Sequence, residues 1–206
     1  MENNEVNTEQ IILEAAEAEF LEKGYGNAKT IAIAQKAGVS HSMLHYYFRT
    51  KEQLFQKIFK DKVQKFTQVF SVVFEQNTDF KETLRRIIET QFKFVAQNPQ
   101  LPMFIIREIL SNKENREWAI KTFFPHIFPF LSTIEKMLNT EIAKGTIRPI
   151  VIQNLLMNIL AINISTFVAL PILKENLQLE NDEMLENFLS ERCESNVQFI
   201  LNAIKN

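Results

Sequence analysis

Thr30–Leu54 reads TIAIAQKAGVSHSMLHYYFRTKEQL, and this stretch decides the fold. It holds two short helical patterns separated by a glycine. In the first, about residues 30–37, Ile33, Ala34 and Ala37 share one face. Alanines there let a neighbouring helix come close. Gly38 supplies the backbone freedom for a tight turn, Val39 plugs the core, and Ser40 is placed to N-cap the next helix. That helix, His41–Tyr47, is too short to hold itself and must be held by its neighbours. Leu44 and Phe48 fall on the inward side. Ser42, Met43, His45 and Tyr46 are left facing outward, and aromatic and thioether side chains on a solvent face call for an explanation. A helix-turn-helix docking in the DNA major groove supplies one.

Upstream, Thr8 caps a helix predicted over about 8–23, with Ile12, Ala16 and Phe20 in a stripe, ended by Gly24 in a left-handed conformation. Met1–Asn7 is polar and reads as a frayed end. Downstream, Thr50 and Gln53 form a capping box for a long helix to about Phe74. Asp79 caps the next, to about Gln97, which Asn98-Pro99 closes. Pro102–Leu110 reads as a short apolar helix. Asn115–Gly145 is interrupted by Pro125 and Pro129, which predict a kink or a break. Helices follow over about 150–170 and 181–203, separated by Pro171. No strand is predicted. The expected class is all-α: a helix-turn-helix domain over residues 1–50 and a helical domain over 51–206.

Net charge is −2, which by itself suggests no nucleic-acid partner, but its distribution does. Residues 1–22 carry seven acids and no base, whereas 23–65 carry nine bases against Glu52 and Asp61. A basic block in an acidic chain fits a DNA-binding head, or a solvated helical surface. With 46% hydrophobic residues, four glycines and six prolines the chain is built to fold compactly. The single cysteine, Cys193, excludes an internal disulfide and fits a reducing compartment; no signal-peptide pattern opens the chain, so the expected location is cytoplasmic. The apolar run Ile147–Leu173 is broken by Arg148, Pro149 and several amides, and reads as a buried or subunit-facing helix rather than a membrane span. Three histidines give no metal-ligand set with Cys193, there is no glycine-rich phosphate loop, and Glu108 and Glu114 have no acid–base partner. No catalytic residue, metal or cofactor is expected.

Ile33-Ala34, Ala37-Gly38-Val39-Ser40, Leu44, Tyr46-Tyr47-Phe48 and Lys51-Glu52-Gln53-Leu54 resemble the signature of the TetR family of bacterial transcriptional regulators. The resemblance covers about residues 8–56. It implies a homodimer on a pseudo-palindromic operator in double-stranded DNA, released by a small molecule bound in the C-terminal domain. It places Ser40, His41, Ser42 and Met43 near base edges and flanking phosphates. Tyr46 and Tyr47 would contact phosphates, and Lys51 would reach one from the start of the fourth helix. Three positions depart from the pattern: His45 replaces a tyrosine and could still donate to a phosphate, Ser42 replaces a glycine, and Lys29 stands where a capping Ser or Thr is usual. These put the operator sequence in question.

On the last two helices Leu156, Ile159 and Phe167, with Leu185, Phe188, Leu189, Cys193, Val197 and Ile200, run down faces suited either to a four-helix dimer interface or to intrachain core. Phe92, Met103, Phe104, Trp118, Phe123 and Met137, with Arg107, His126 and Asn163 as polar anchors, are the pocket candidates for an apolar or amphipathic effector; an ordinary core would look the same. The expected function is a ligand-released repressor. The alternatives are an activator, a regulator answering to a protein partner, and a helical interaction protein independent of DNA.

Overall fold

The computed structural model describes residues 2–75, 78–110 and 113–206; the side chains of 2–6, 75 and 110 fall outside the description. The described residues form nine α-helices: α1 (Glu2–Asn27), α2 (Thr30–Lys36), α3 (His41–Tyr47), α4 (Lys51–Glu75), α5 (Phe80–Gln97), α6 (Leu101–Phe104), α7 (Lys113–Ala143), α8 (Ile152–Asn176) and α9 (Asp182–Ala203). A π-helix, Ile105–Leu110, continues α6. The caps follow the sequence. The backbone N–H groups of Met43, Glu82 and Met184 donate to the side chains of Ser40, Asp79 and Asn181. Gln53 N–H donates to Thr50 Oγ1 at 3.1 Å, and Gln53 Oε1 accepts from Arg49 N–H at 3.0 Å.

Three expectations are corrected. The first helix starts at Glu2, well before residue 8, and a short helical turn follows its break at Gly24. Pro125 and Pro129 do not interrupt α7, and Pro171 lies inside α8. All three prolines are exposed, and the carbonyls that Pro125 and Pro129 leave without a helical partner belong to the exposed Lys121 and Pro125, where water can meet them.

By contacts the chain divides into two units. The first is Met1–Lys65 with Met103–Phe123; the second is Phe66–Pro102 with Phe124–Asn206. In the first, Ile12, Ala16 and Phe20 of α1, Ile33 and Ala34 of α2, Leu44 of α3 and Leu54 of α4 are buried. Burial of Leu44 contributes about 1.5–3 kcal/mol, and without it seven residues would not stay helical. An aromatic cluster joins Phe20, Tyr25, Phe55, Phe59, Phe104 and Trp118. In the second unit α5 packs on α8 and α9. Its core includes Leu84, Ile88, Leu138, Leu155, Val197 and Ile200.

Glu19, 1% exposed, ties α1 to α2. Its Oε1 lies 2.9 Å from Lys23 Nζ and its Oε2 3.0 Å from Lys36 Nζ, which also meets Glu22 at 2.8 Å. The Lys23 ammonium holds this carboxyl below the ordinary 4.5; burial pushes the other way, and Lys36 adds to the lowering. A carboxyl with a lowered folded pKa contributes stability above its unfolded value and loses it as pH falls through the folded one. The head is therefore expected to lose stability as pH drops below about 4.5, and Glu19→Gln should flatten that part of a denaturation-midpoint profile. An unchanged slope in the variant would count against the pairing.

Candidate nucleic-acid interface

α3 presents one side to its own unit and the other to solvent. Leu44 and Phe48 are buried, whereas Ser40, His41, Ser42, Met43, His45 and Tyr46 are exposed and Tyr47 is half-buried. Tyr46 is 73% and Met43 45% exposed, the outward arrangement expected from the spacing. The face is organised internally. Ser40 Oγ, the cap, lies 2.9 Å from Ser42 Oγ, the His41 and His45 rings meet edge-on at 4.4 Å, and Tyr46 and Tyr47 do so at 5.3 Å. His41 Nε2 is hydrogen-bonded to Thr30 Oγ1 at 3.0 Å, which pins the start of α3 to the start of α2. Thr30 is therefore occupied with His41. Lys29 holds the N-cap position of α2 with no side-chain cap. Side chains free for bidentate base recognition are few here, and hydroxyl, imidazole and thioether groups leave thymine-methyl contact and phosphate positioning as the available chemistry.

The corner carrying α2 and α3 is closed by two cations. Gly24 adopts φ 81°, ψ 157°, a conformation reserved for glycine, and ends the regular part of α1. Lys51 Nζ donates to the carbonyls of Tyr25 at 2.7 Å, Gly26 at 3.3 Å and Ala28 at 3.1 Å, and lies 4.6 Å from the centre of the Tyr25 ring. Lys51, expected at a phosphate, here directs its three donors to the carbonyls of the corner. Arg107 Nη2 donates to Phe20 O at 2.9 Å and Leu21 O at 3.3 Å, in the last turn before the break. Sequence reasoning missed these roles because a backbone carbonyl carries no residue signature.

Residues 12–58 match the family described as "Bacterial regulatory proteins, tetR family". The Bacillus subtilis (strain 168) Fatty acid metabolism regulator protein is 29% identical over 138 residues, 66% of this chain and 69% of that protein. Two solved structures share the fold over nearly the whole chain. The Bacillus subtilis transcriptional regulator FadR in complex with stearoyl-CoA has a TM-score of 0.67 and 23% identity, over 95% of this chain and 98% of that one. The Mycobacterium tuberculosis ketosteroid transcriptional regulator KstR2 has a TM-score of 0.73 and 15% identity, over 96% and 95%. Residues 12–58 thus carry a TetR-family head. The chain is a transcription regulator with a DNA-binding helix-turn-helix.

The pocket candidates are divided between the two units. Phe104 and Trp118 belong to the aromatic cluster of the first unit. Arg107 closes the α1 corner. Phe92 is core, 4.9 Å from the Phe167 ring. Asn163, fully buried, donates to Ile88 O and Gln91 Oε1 and accepts from Asn196 Nδ2 at 2.8 Å, a closed network across α5, α8 and α9. Met137 and Phe123 are half-buried, and Met103 and His126 are exposed. Two surface grooves of the second unit use other residues. One, about 640 Å³, is lined by Ile142, Arg148, Pro149, Ile150, Val151, Asn154, Met157 and Asn158. The other, about 490 Å³, lies between α4 and α5 and is lined by Gln68, Val69, Val72, Val73, Arg86 and Thr90.

The residues of the expected dimer face lie in or against the chain's own cores. Ile159, Phe167, Cys193, Val197 and Ile200 are buried inside the chain, and Leu156, Leu185, Phe188 and Leu189 pack half-buried against the same cores. Burial pushes the Cys193 thiol up to about 11, so it stays a neutral packing group. The exposed side of α8 carries Met157, Leu160, Val168 and Ile172, and that of α9 carries Met184 and Phe199. α8 is long and apolar enough to cross a membrane, with mean hydropathy 2.0 over its most apolar window, yet only 28% of that window is buried within the chain.

Proposed function

We propose that this chain is a cytoplasmic, homodimeric repressor that leaves a pseudo-palindromic operator when it binds a small apolar or amphipathic molecule of the fatty-acyl class. The observation that carries the DNA half of the reading is the outward face of α3, capped by Ser40 and held by Leu44. Ser40, His41, Ser42 and Met43 meet base edges and flanking phosphates, while His45, Tyr46 and Tyr47 meet phosphates. Lys51 serves the interface from behind, by closing the corner. In functional terms residues 1–50 read DNA and 51–206 sense the effector and dimerise. The acyl assignment draws on the Bacillus subtilis relative and its stearoyl-CoA complex. The α4–α5 groove suits an alkyl chain in lining and falls within the usual ligand-site range of roughly 300–1,000 Å³. A second copy is needed because the outward apolar side of α8 is too large for an isolated subunit.

The test is footprinting of the chain's own promoter region at several salt concentrations. Wild type should protect one discrete site of two half-sites about 34–36 Å apart, with affinity falling steeply with salt. Leu160→Glu, a charge on the exposed side of α8, should give a monomer with little protection. Absence of a discrete site for wild type would sink the reading in favour of a DNA-independent helical protein. Activation is the second reading, because a 29% identical relative over 91 residues, FasR of Mycolicibacterium smegmatis, is an HTH-type transcriptional activator. Transcription in vitro from the protected promoter separates the two by its sign.

A further inference from the structure

The π-helix Ile105–Leu110 belongs to the first unit, although both ends of Met103–Phe123 run on covalently into the second. Arg107 reaches back 87 and 86 positions to the carbonyls of Phe20 and Leu21. Its Nε donates to Glu108 Oε1 at 2.7 Å, and Glu108 is only 8% exposed. Asn115 Nδ2 donates to Glu108 O at 3.1 Å, tying in the start of α7. The pair lies against Gly24 so closely that a Cβ there would come 2.8 Å from Glu108 Oε1 and 3.1 Å from Arg107 Nε. The result is a clasp: a cation on the terminal carbonyls of α1, backed by a buried carboxylate, at the one residue where α1 breaks toward α2.

We propose that Arg107 is a positioning residue for DNA reading, holding the α1–α2 corner and through it α3 in the geometry that fits the groove; this rests on the function proposed above. The corner Tyr25–Ala28 is fixed from one side by Lys51, and the last turn of α1 from the other by Arg107. Loss of either lets the two-helix motif sample orientations that do not match the duplex, and affinity falls by the fraction of misaligned heads.

The experiment compares wild type, Arg107→Ala, Arg107→Lys and Glu108→Gln in operator affinity, salt slope and amide hydrogen exchange. Arg107→Ala should weaken operator binding on the order of tenfold and speed exchange at Tyr25–Ala28. Its slope of log affinity against log salt should match wild type, because Arg107 touches no phosphate; a lost phosphate contact would lower the slope by about one. Arg107→Lys, whose ammonium can still reach a carbonyl, should recover most of the affinity. Glu108→Gln, the milder lesion, should fall between and covers the case in which Arg107→Ala does not fold. Wild-type affinity and exchange in both Arg107→Ala and Glu108→Gln would overturn the proposal, and so would a slope reduced by one. If wild type protects no operator, the function fails but the clasp is still judged by exchange at Tyr25–Ala28, where no change overturns it.

Discussion

Gly24→Ala is expected to destabilise the head by on the order of 2–5 kcal/mol, enough to lower its melting temperature by roughly 5–15 °C. Two effects act together. Gly24 holds φ +81°, ψ 157°, which costs a residue with a Cβ about 1–3 kcal/mol. The added Cβ would also press on Glu108 Oε1 at 2.8 Å and Arg107 Nε at 3.1 Å. Both atoms belong to flexible side chains, but Glu108 is buried and Arg107 is engaged with two carbonyls, so moving them opens the clasp. The neighbouring glycines supply the scale. A Cβ at Gly38, φ +67°, meets nothing, so Gly38→Ala should cost only the backbone penalty of about 1–2 kcal/mol. At Gly26 no atom is near, so Gly26→Ala should be close to neutral. Thermal melts of the three variants should rank in that order. Equal effects at Gly24 and Gly38 would mean that the contact with Arg107 and Glu108 does not matter.

The helix-turn-helix is legible in the sequence because its requirements are local. A glycine turn, a serine cap and inward Leu44 within seven residues leave one way to fold, and the outward set at α3 follows from period alone. Lys51 and Arg107 are another matter. A lysine at the start of a helix in a basic block reads as a phosphate ligand, since nothing local announces that Tyr25, Gly26 and Ala28 offer carbonyls to it. Arg107 is further still from its acceptors, and an arginine amid Phe104, Ile105 and Ile106 resembles a pocket anchor.

The dimer and core faces of α8 were not separable for a physical reason. A helix apolar on all sides has no phase, so periodicity cannot choose between the Leu155–Ile159 side, which is core, and the Met157–Leu160 side, which is exposed. The prolines misled in a related way. A proline is tolerated where the carbonyl it frees can meet water, and Pro125 and Pro129 free the carbonyls of the exposed Lys121 and Pro125. Burial, which sequence conveys poorly, decides both cases.

The same ambiguity makes Asn163 the sharpest test of the second unit. A buried asparagine within an apolar run fits a ligand-anchoring role and a core network equally well until its partners are known. Here its amide nitrogen donates to Ile88 O and Gln91 Oε1, and its oxygen accepts from Asn196, whose own amide also reaches Ile162 O at 3.4 Å. Asn163→Ala would leave the Asn196 donor and the Gln91 acceptor without their partner in a dry interior and open a small cavity, at a combined cost of about 2–4 kcal/mol. Removing Asn196 as well should cost less than the sum of the single changes by roughly 1–2 kcal/mol, because the second deletion abolishes a group already orphaned by the first. Chemical denaturation of the two single variants and the double variant measures this directly. Additive costs would mean that the two amides do not act as one network. Stearoyl-CoA affinity, measured on the same proteins, separates the two roles: a core network predicts stability lost with any such binding retained, whereas a ligand anchor predicts the reverse. The set of bonds favours the first, since both donors of the amide are already spent inside the helices and its oxygen is engaged with Asn196.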